Sequence, residues 1–243
     1  MIEKYRDVVI IYEEDKAFVI SCDSLGAIGN KPNDILKTDE EIVGRNTLKV
    51  ALSEIFSVGA KPLVISDTLM VEMDPSGEKI LDGIKKELEE NEITDVILTG
   101  STEENFPVSV TGIGITAIGW AKKDNLKIKK IKSGMEVCLL GYPRVGKEVL
   151  ISKDILSLKD FICISESEEI VEAIPVGSKG IKYEISILEE MSNMQLNINT
   201  KTDINFNKSA GPSTCCLVVY ESQNRAFIEK ITNKPITYLG KLF

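Results

Sequence analysis

Cys22-Asp23-Ser24-Leu25-Gly26-Ala27-Ile28-Gly29-Asn30-Lys31 closes the apolar run Ala17–Cys22 with an acid, then two glycines, then a lysine. A carboxylate at a strand end, a glycine-bearing loop and an ammonium are the parts a phosphate-and-metal site needs. Glycines let backbone N–H groups approach phosphate oxygens, and lysine supplies a point charge. The loop is not a Walker A sequence, which ends in Gly-Lys-Ser/Thr. Taken alone, the stretch reads more simply as a turn.

Working outward, Val8–Ile11 and Ala17–Cys22 are β-rich runs joined by Glu13-Glu14-Asp15-Lys16, the pattern of a hairpin. Thr38-x-x-Glu41 predicts a capping box ahead of a helix carrying Ile42, Leu48, Leu52, Ile55 and Phe56, with Gly59 ending it. Leu63–Val71 reads as a strand. Asp74-Pro75 predicts an N-cap and first helical residue for a helix with Ile80, Leu81, Ile84 and Leu88 on one face. Val96–Leu98 and Thr111–Trp120 read as further strands. A lysine-rich break from Lys122 to Lys132 predicts a solvated linker, and so two domains, 1–121 and 131–243. Beyond it, strands are expected at Glu136–Leu140, Phe161–Ile164 and Cys215–Tyr220. Helices are expected at Lys147–Ile151, Ile181–Met194 and Ser222–Ile231. This order is α+β in each half and not a βαβ series.

The sequence holds no histidine, which removes Ser-His-Asp and Cys-His catalysis and imidazole-ligated zinc. The oxygen-rich donors that remain favour Mg²⁺ over a transition metal. Five scattered cysteines without a C-x-x-C spacing read as reduced thiols in strands. The net charge of −9 argues against nucleic-acid or anionic-membrane partners. That charge is uneven: residues 1–120 hold 23 acids against 11 bases, while 121–243 hold 15 acids against 18 bases. No apolar run approaches the roughly 20 residues that span a bilayer. The first residues have no signal-peptide layout, so a cytoplasmic protein is expected.

Three further features carry acids. Gly100-Ser101-Thr102-Glu103-Glu104-Asn105 follows the Val96–Leu98 run, as a site loop or as a turn with its own caps. Glu54 sits amid apolar helix residues and Asp67 amid apolar strand residues, where a buried carboxylate needs a partner. In the second half, Pro175-Val176-Gly177-Ser178-Lys179-Gly180 brings a lysine to the start of a helix, whose N-terminal dipole adds positive potential. Lys208-Ser209-Ala210-Gly211-Pro212-Ser213-Thr214 is a second loop of this kind, or a plain turn before a strand.

The set Asp23-Ser24-Leu25-Gly26 … Lys31, Val43-Gly44-Arg45, Ala51-Leu52-Ser53-Glu54, Gly59-Ala60-Lys61-Pro62-Leu63 … Asp67, Gly100-Ser101-Thr102-Glu103-Glu104 and Ile115-Thr116-Ala117-Ile118-Gly119 resembles the aminoimidazole-ribonucleotide-synthetase (PurM-like) superfamily. Order and spacing agree over residues 20–120. That superfamily includes thiamine-phosphate kinase, selenophosphate synthetase and the hydrogenase-maturation carbamoyl dehydratase. The resemblance implies a two-domain α+β architecture: an N-terminal mixed sheet with helices that dimerises through its strands, and a C-terminal α/β sandwich-like domain.

It also implies an ATP- and Mg²⁺-dependent enzyme acting on a small molecule as a homodimer. Asp23, Glu54, Asp67 and Glu103 or Glu104 become metal-ligand candidates. Asp23, Gly26, Lys31, Gly100, Ser101 and Thr102 become nucleotide-site candidates. Gly177, Ser178, Gly180 and Ser209 become substrate-loop candidates, with Lys179 and Lys208 as stabilisers of a transferring phosphoryl group. Two positions depart from the pattern: Glu54 stands where the family commonly has Asp, and Lys179 where kinases of the group often carry Asp. The whole motif set is most similar to a subgroup tied to cobalamin salvage, α-ribazole kinase or α-ribazole-5′-phosphate synthase. A cyclo-ligase like the purine enzyme and a nucleotide-binding homologue without turnover remain the alternatives.

Overall fold

A computed structural model describes residues 1–199 and 201–243. The chain divides into two compact units, Met1–Ile55 with Lys61–Lys123, and Phe56–Ala60 with Asp124–Phe243. In the first unit the strands are β1 (Ile2–Tyr5), β2 (Val8–Glu13), β3 (Lys16–Gly26), β4 (Ile28–Gly29), β5 (Leu36–Lys37), β6 (Lys61–Leu69), β7 (Ile97–Thr102) and β8 (Gly112–Lys122). Helices α1 (Glu40–Ser57) and α2 (Glu78–Glu90) run between them. Six strands form one sheet in the order β1-β2-β3-β8-β6-β7, and β4 with β5 forms a separate two-stranded ladder. Only β6 and β7 pair in parallel within the large sheet, which makes it mixed.

Period-two alternation gives this sheet two unlike faces. Ala17, Val19 and Ser21 of β3 point to the buried face, which α1 covers with Leu48, Ala51, Leu52 and Ile55, all fully buried. Ser21 Oγ donates to the Ala51 carbonyl at 2.7 Å and ties helix to sheet. Each large side chain so buried contributes about 1.5–3 kcal/mol, against about 1 kcal/mol for a helix cap. Packing therefore holds α1 in place more than its cap does. The other face carries Val9, Ile11, Phe18, Ile20, Ile118 and Trp120, each only half-buried. These residues lie in register, Ile11 to Phe18 to Trp120 and Val9 to Ile20 to Ile118.

Gly44 and Gly83 explain how α1 and α2 cross so closely. A Cβ on Gly44 would fall on the Ile80 carbonyl, and one on Gly83 on the Glu41 carbonyl. Arg45 then bridges the pair, 2.9 Å from Glu87 and 2.7 Å from Glu90.

Three local expectations change in this unit. The cap of α1 is Asp39, whose Oδ1 accepts from the Glu41 amide at 3.0 Å, and not Thr38. Asp74-Pro75 lies in a separate π-turn, Met73–Gly77; α2 begins only at Glu78, with Gly77 in the cap position, so Asp74 stands three residues too early to cap it. Gly100, Ser101 and Thr102 belong to β7 itself rather than to a loop after it.

The second unit holds β9 (Glu136–Gly141), β10 (Ile170–Pro175), β11 (Leu196–Ile198), β12 (Cys215–Tyr220) and β13 (Ile236–Leu242) in an antiparallel sheet ordered β10-β12-β9-β13-β11. Its helices are α3 (Lys147–Ile151), α4 (Leu158–Glu166), α5 (Ile181–Ser192) and the short α6 (Arg225–Ile228). Ile181, Ile185 and Leu188 of α5 pack on Val137, Leu139, Leu217 and Val219 of the sheet.

Phe161–Ile164, expected as a strand, lies inside α4. Ser157 and Asp160 form a reciprocal capping box there, and that local signal outweighs a four-residue apolar run. The helix expected over Ser222–Ile231 shrinks to a 3₁₀ turn plus α6. Lys127 of the lysine-rich break is buried, not solvated. Its Nζ donates to the Ser167 carbonyl and to the Ile170 carbonyl at 2.9 Å, and burial pushes its pKa down to about 8. Three of the five cysteines, Cys138, Cys215 and Cys216, are buried strand thiols as expected, but Cys22 is exposed and Cys163 lies in α4. Among the described residues, no helix is long and apolar enough to cross a membrane.

Candidate functional site

Strand register builds the site in the first unit. Ile115 of β8 pairs with Asp23 of β3 on one side and with Asp67 of β6 on the other, and Asp67 pairs with Gly100 of β7. Residues directly opposed across neighbouring strands share a face. Asp23, Ile115, Asp67 and Gly100 therefore form one row on the helix-covered side of the sheet. The two acids lie two strands apart, about 9–10 Å between backbones, on either side of a fully apolar residue.

That setting penalises charge. Burial pushes the Asp23 carboxyl up to about 6, and the Ser24 amide that donates to it offsets only part of the effect. Burial also raises Asp67, which is 3% exposed. Desolvated carboxylates facing the same space are what a hard cation relieves. Among the described residues, no three Cys, Asp or Glu side chains gather about a metal-sized point. The pair fits Mg²⁺ all the same, since Mg²⁺ is commonly held by one or two carboxylates plus waters and phosphate oxygens. The observation behind that fit is the place of the Asp67 carboxylate, which lies directly over the Gly100 backbone where a side chain would otherwise stand.

The loop after β3 is shaped by a residue that the sequence did not single out. Asp34, buried at 6% exposure, accepts from the Thr111 amide (2.7 Å), the Thr111 hydroxyl (2.7 Å) and the Lys31 amide (2.8 Å). Burial opposes its ionisation, but these donors win and hold its carboxyl below the ordinary value. Nothing in a lone Asp between Asn33 and Ile35 distinguishes this role from a turn acid. Gly26 closes β3 opposite Gly112. Lys31 Nζ is bound to Glu72, which also accepts from the Val108 amide at 3.0 Å. The Lys31 contact is the main reason the Glu72 carboxyl falls to about 2. In this state Lys31 ties the loop to the segment after β6.

The remaining acids are employed locally. Glu103 Oε1 accepts from the Asn105 and Phe106 amides at 2.7 and 3.2 Å. Glu104 Oε1 accepts from Thr102 Oγ1 and the Met73 amide, both at 2.9 Å. The turn reading of this stretch thus describes the contacts they make, while Ser101 opposes Thr68 on the exposed face. Glu54 is paired with Arg6 at 3.7 Å. The structure thus joins Asp23, Asp67 and Gly100 and assigns Glu54, Glu103 and Glu104 other partners.

In the second unit the two candidate loops do meet. Gly177 accepts from the Ala210 amide at 3.1 Å, and a Cβ on Gly180 (φ +80°) would strike the Lys208 and Phe206 carbonyls. The two loops therefore meet through Gly177 with Ala210 and Gly180 with Phe206 and Lys208. The helix-dipole expectation at Lys179 changes, however. The Phe206 carbonyl caps the Lys182 amide of α5 at 2.9 Å, and the Lys179 ammonium lies 4.1 Å from the centre of the Tyr183 ring. Lys208 is paired with Glu148 at 2.7 Å. A third loop after β9 joins them, as the Arg144 amide donates to Thr214 Oγ1 at 3.0 Å and its guanidinium binds Asp154. Loops of this kind from three adjacent strand ends had no signature in the spacing.

A mixed sheet covered on one face by two crossing helices, with an acid row at its centre and a second antiparallel α+β unit behind it in sequence, is the PurM-like fold. Residues 5–121 match the family model for AIR synthase related protein, N-terminal domain. No curated protein matches the chain. Among solved structures, the chain is similar to thiamine-monophosphate kinase from Stenotrophomonas maltophilia K279a, with 15% identity, TM-score 0.68 and coverage of 99% of this chain and 88% of that one. It is also similar to the hydrogenase maturation protein HypE in complex with ATP, with 13% identity, TM-score 0.67 and coverage of 93% and 76%. T. maritima PurL complexed with ATP aligns at 15% identity and TM-score 0.63, covering 96% of this chain and 42% of that one.

Proposed function

We propose that the protein is a Mg²⁺-dependent, ATP-using enzyme that transfers a phosphoryl group to a nucleoside-like alcohol, with α-ribazole as acceptor and α-ribazole 5′-phosphate as product. The observation that carries the reading is the Asp23–Ile115–Asp67–Gly100 row: two carboxylates strained by burial on the helix-covered face, in a domain matching the AIR synthase related family. Structures of similar fold carry ATP in HypE and PurL. Asp23 and Asp67 would hold the cation, and the cation would neutralise the triphosphate that these acids otherwise repel. Phosphoryl transfer asks little covalent chemistry of a protein, so positioning and charge are sufficient tools for a chain without histidine.

The nucleotide side belongs to a domain spanning 1–121 and the acceptor side to one spanning 131–243, where the packed loops carry Lys179 and Lys208. The half-buried face of Val9, Ile11, Phe18, Ile20, Ile118 and Trp120 supports a homodimer formed through N-domain strands. The deciding experiment follows ADP with Mg²⁺ over a panel of α-ribazole, thiamine phosphate and formylglycinamidine ribonucleotide. ADP release with phosphate retained on α-ribazole supports the reading. Free inorganic phosphate with the formylglycinamidine substrate shows a cyclo-ligase, and ATP binding without ADP release from any substrate shows a homologue without turnover.

A further inference from the structure

We propose that Gly100 is a positioning residue, whose missing side chain leaves the room in which the Asp67 carboxylate takes its cation-binding pose. The inference rests on the reading of Asp67 as a cation ligand and goes beyond it to the residue that lies beneath that ligand. Asp67 and Gly100 are direct partners across the parallel β6–β7 pair. A Cβ built on Gly100 would lie within 3.0 Å of Asp67 Oδ1, Cγ and Oδ2, closer than real Cβ atoms come to any neighbour. The carboxylate thus lies directly over the Gly100 backbone.

Two observations separate this role from the ordinary uses of glycine. Gly100 is not among the glycines with positive φ, so its backbone conformation is open to any residue. The atoms it would meet are the end of one side chain, with no backbone atom among the three nearest. An added methyl is accommodated when Asp67 rotates about χ1, while the strand pairing is kept. Gly100 is also exposed on the edge strand, where alanine restricts the unfolded chain more than glycine does and so favours folding. The substitution Gly100→Ala therefore leaves the fold intact and displaces the carboxylate.

The test measures Mn²⁺ and Mg²⁺-ATP binding by calorimetry on the full chain, together with melting temperature, for the wild type, Gly100→Ala, Asp67→Asn and Thr99→Ala. Gly100→Ala is expected to match or exceed wild-type melting yet bind Mn²⁺ about 10–100-fold more weakly, the scale for losing a group that orients a ligand. Asp67→Asn is expected to lose at least as much, and Thr99→Ala, one residue back on the opposite, exposed face, nothing. Weakened binding in Asp67→Asn with wild-type binding in Gly100→Ala overturns the positioning role alone. Wild-type binding in Asp67→Asn overturns the ligand reading beneath it. Should Gly100→Ala melt lower, the paired change Asp67→Gly with Gly100→Ala removes the overlap. Recovery of melting without recovery of Mn²⁺ binding supports the proposal, and failure of melting to recover assigns the glycine to the backbone and overturns it.

Discussion

Asp23→Asn should make the metal-free protein more stable and the metal-loaded protein less so. Burial raises the Asp23 carboxyl from the ordinary 3.8 to about 6. A raised carboxyl keeps its proton to higher pH in the folded than in the unfolded chain. Its contribution to stability therefore falls as pH rises from 3.8 to about 6 and stays low above that. A displacement of that size corresponds to about 3 kcal/mol, and solvent at this half-buried site trims that to about 1–2 kcal/mol. For a chain of this size each kcal/mol shifts melting by about 2–4 °C. In chelator at pH 8, the Asp23→Asn variant should thus melt about 2–8 °C higher, and the advantage should vanish near pH 4, where both side chains are neutral. Comparing the variant with wild type at each pH cancels the opposing slopes from carboxyls held low, such as Asp34 and Glu72. Saturating Mg²⁺-ATP should reverse the order. At about 100 times its dissociation constant a ligand adds about 2.7 kcal/mol to the protein that binds it, and the variant should gain almost none. A stability difference that is flat with pH, or a variant that melts lower than wild type in chelator at pH 8, would refute the claim that the carboxylate is held ionised against burial.

Gly44→Ala should cost about 1–3 kcal/mol in urea unfolding, because its methyl falls on the Ile80 carbonyl where α1 crosses α2; an unchanged midpoint would mean the helices separate freely. Lys127→Met should cost about 1–3 kcal/mol or more by leaving the Ser167 and Ile170 carbonyls without their donor, read from the same unfolding curves. Lys179→Ala should lower substrate-dependent ADP release by about two orders of magnitude with ATP affinity unchanged; full turnover would leave Lys179 as a surface partner of Tyr183. Light scattering should give a dimer, and a mass of 26.8 kDa at micromolar concentration would count against pairing through the half-buried sheet face.

Elements whose side chains alternate over six or more residues were legible in the sequence. β3 and β8 announce themselves because one face packs on α1 and the other does not. Elements were misread where a short apolar run left the period undecided. Phe161–Ile164 has four residues that suit a buried strand or a helix turn equally, and the decision sits four residues upstream in Ser157 and Asp160. β10 and β13 carry no comparable signal, although β13 pairs with the central β9 and β10 forms one edge of the second sheet. Asp23 and Asp67 stand out as candidates for a simpler reason: an acid on an apolar strand has to be accounted for. Glu54 met the same criterion on a helix and proved to be accounted for by Arg6, 48 positions away in a turn that carries no signal of its own.

What the sequence could not show is that the two acids share a face, because that depends on register. β6 and β8 start in simple opposition, Lys61 with Trp120 and Pro62 with Gly119, and then shift by one so that Val64 meets Ile118. Leu63 is the extra residue. Without it, continued pairing would set Ser66 opposite Ile115 and Asp67 opposite Gly114, and since side chains alternate, Asp67 would point to the uncovered face. The bulge turns Asp67 back to the side of Asp23. It also makes sense of Pro62, a residue with no amide hydrogen in a strand paired on both sides, since bulges are where such strands tolerate proline. The Lys61-Pro62-Leu63 motif that helped mark the resemblance thus shapes the candidate site although it lies several residues from Asp67. It sets the one-residue offset on which the carboxylate row, and with it the case for a cation, depends.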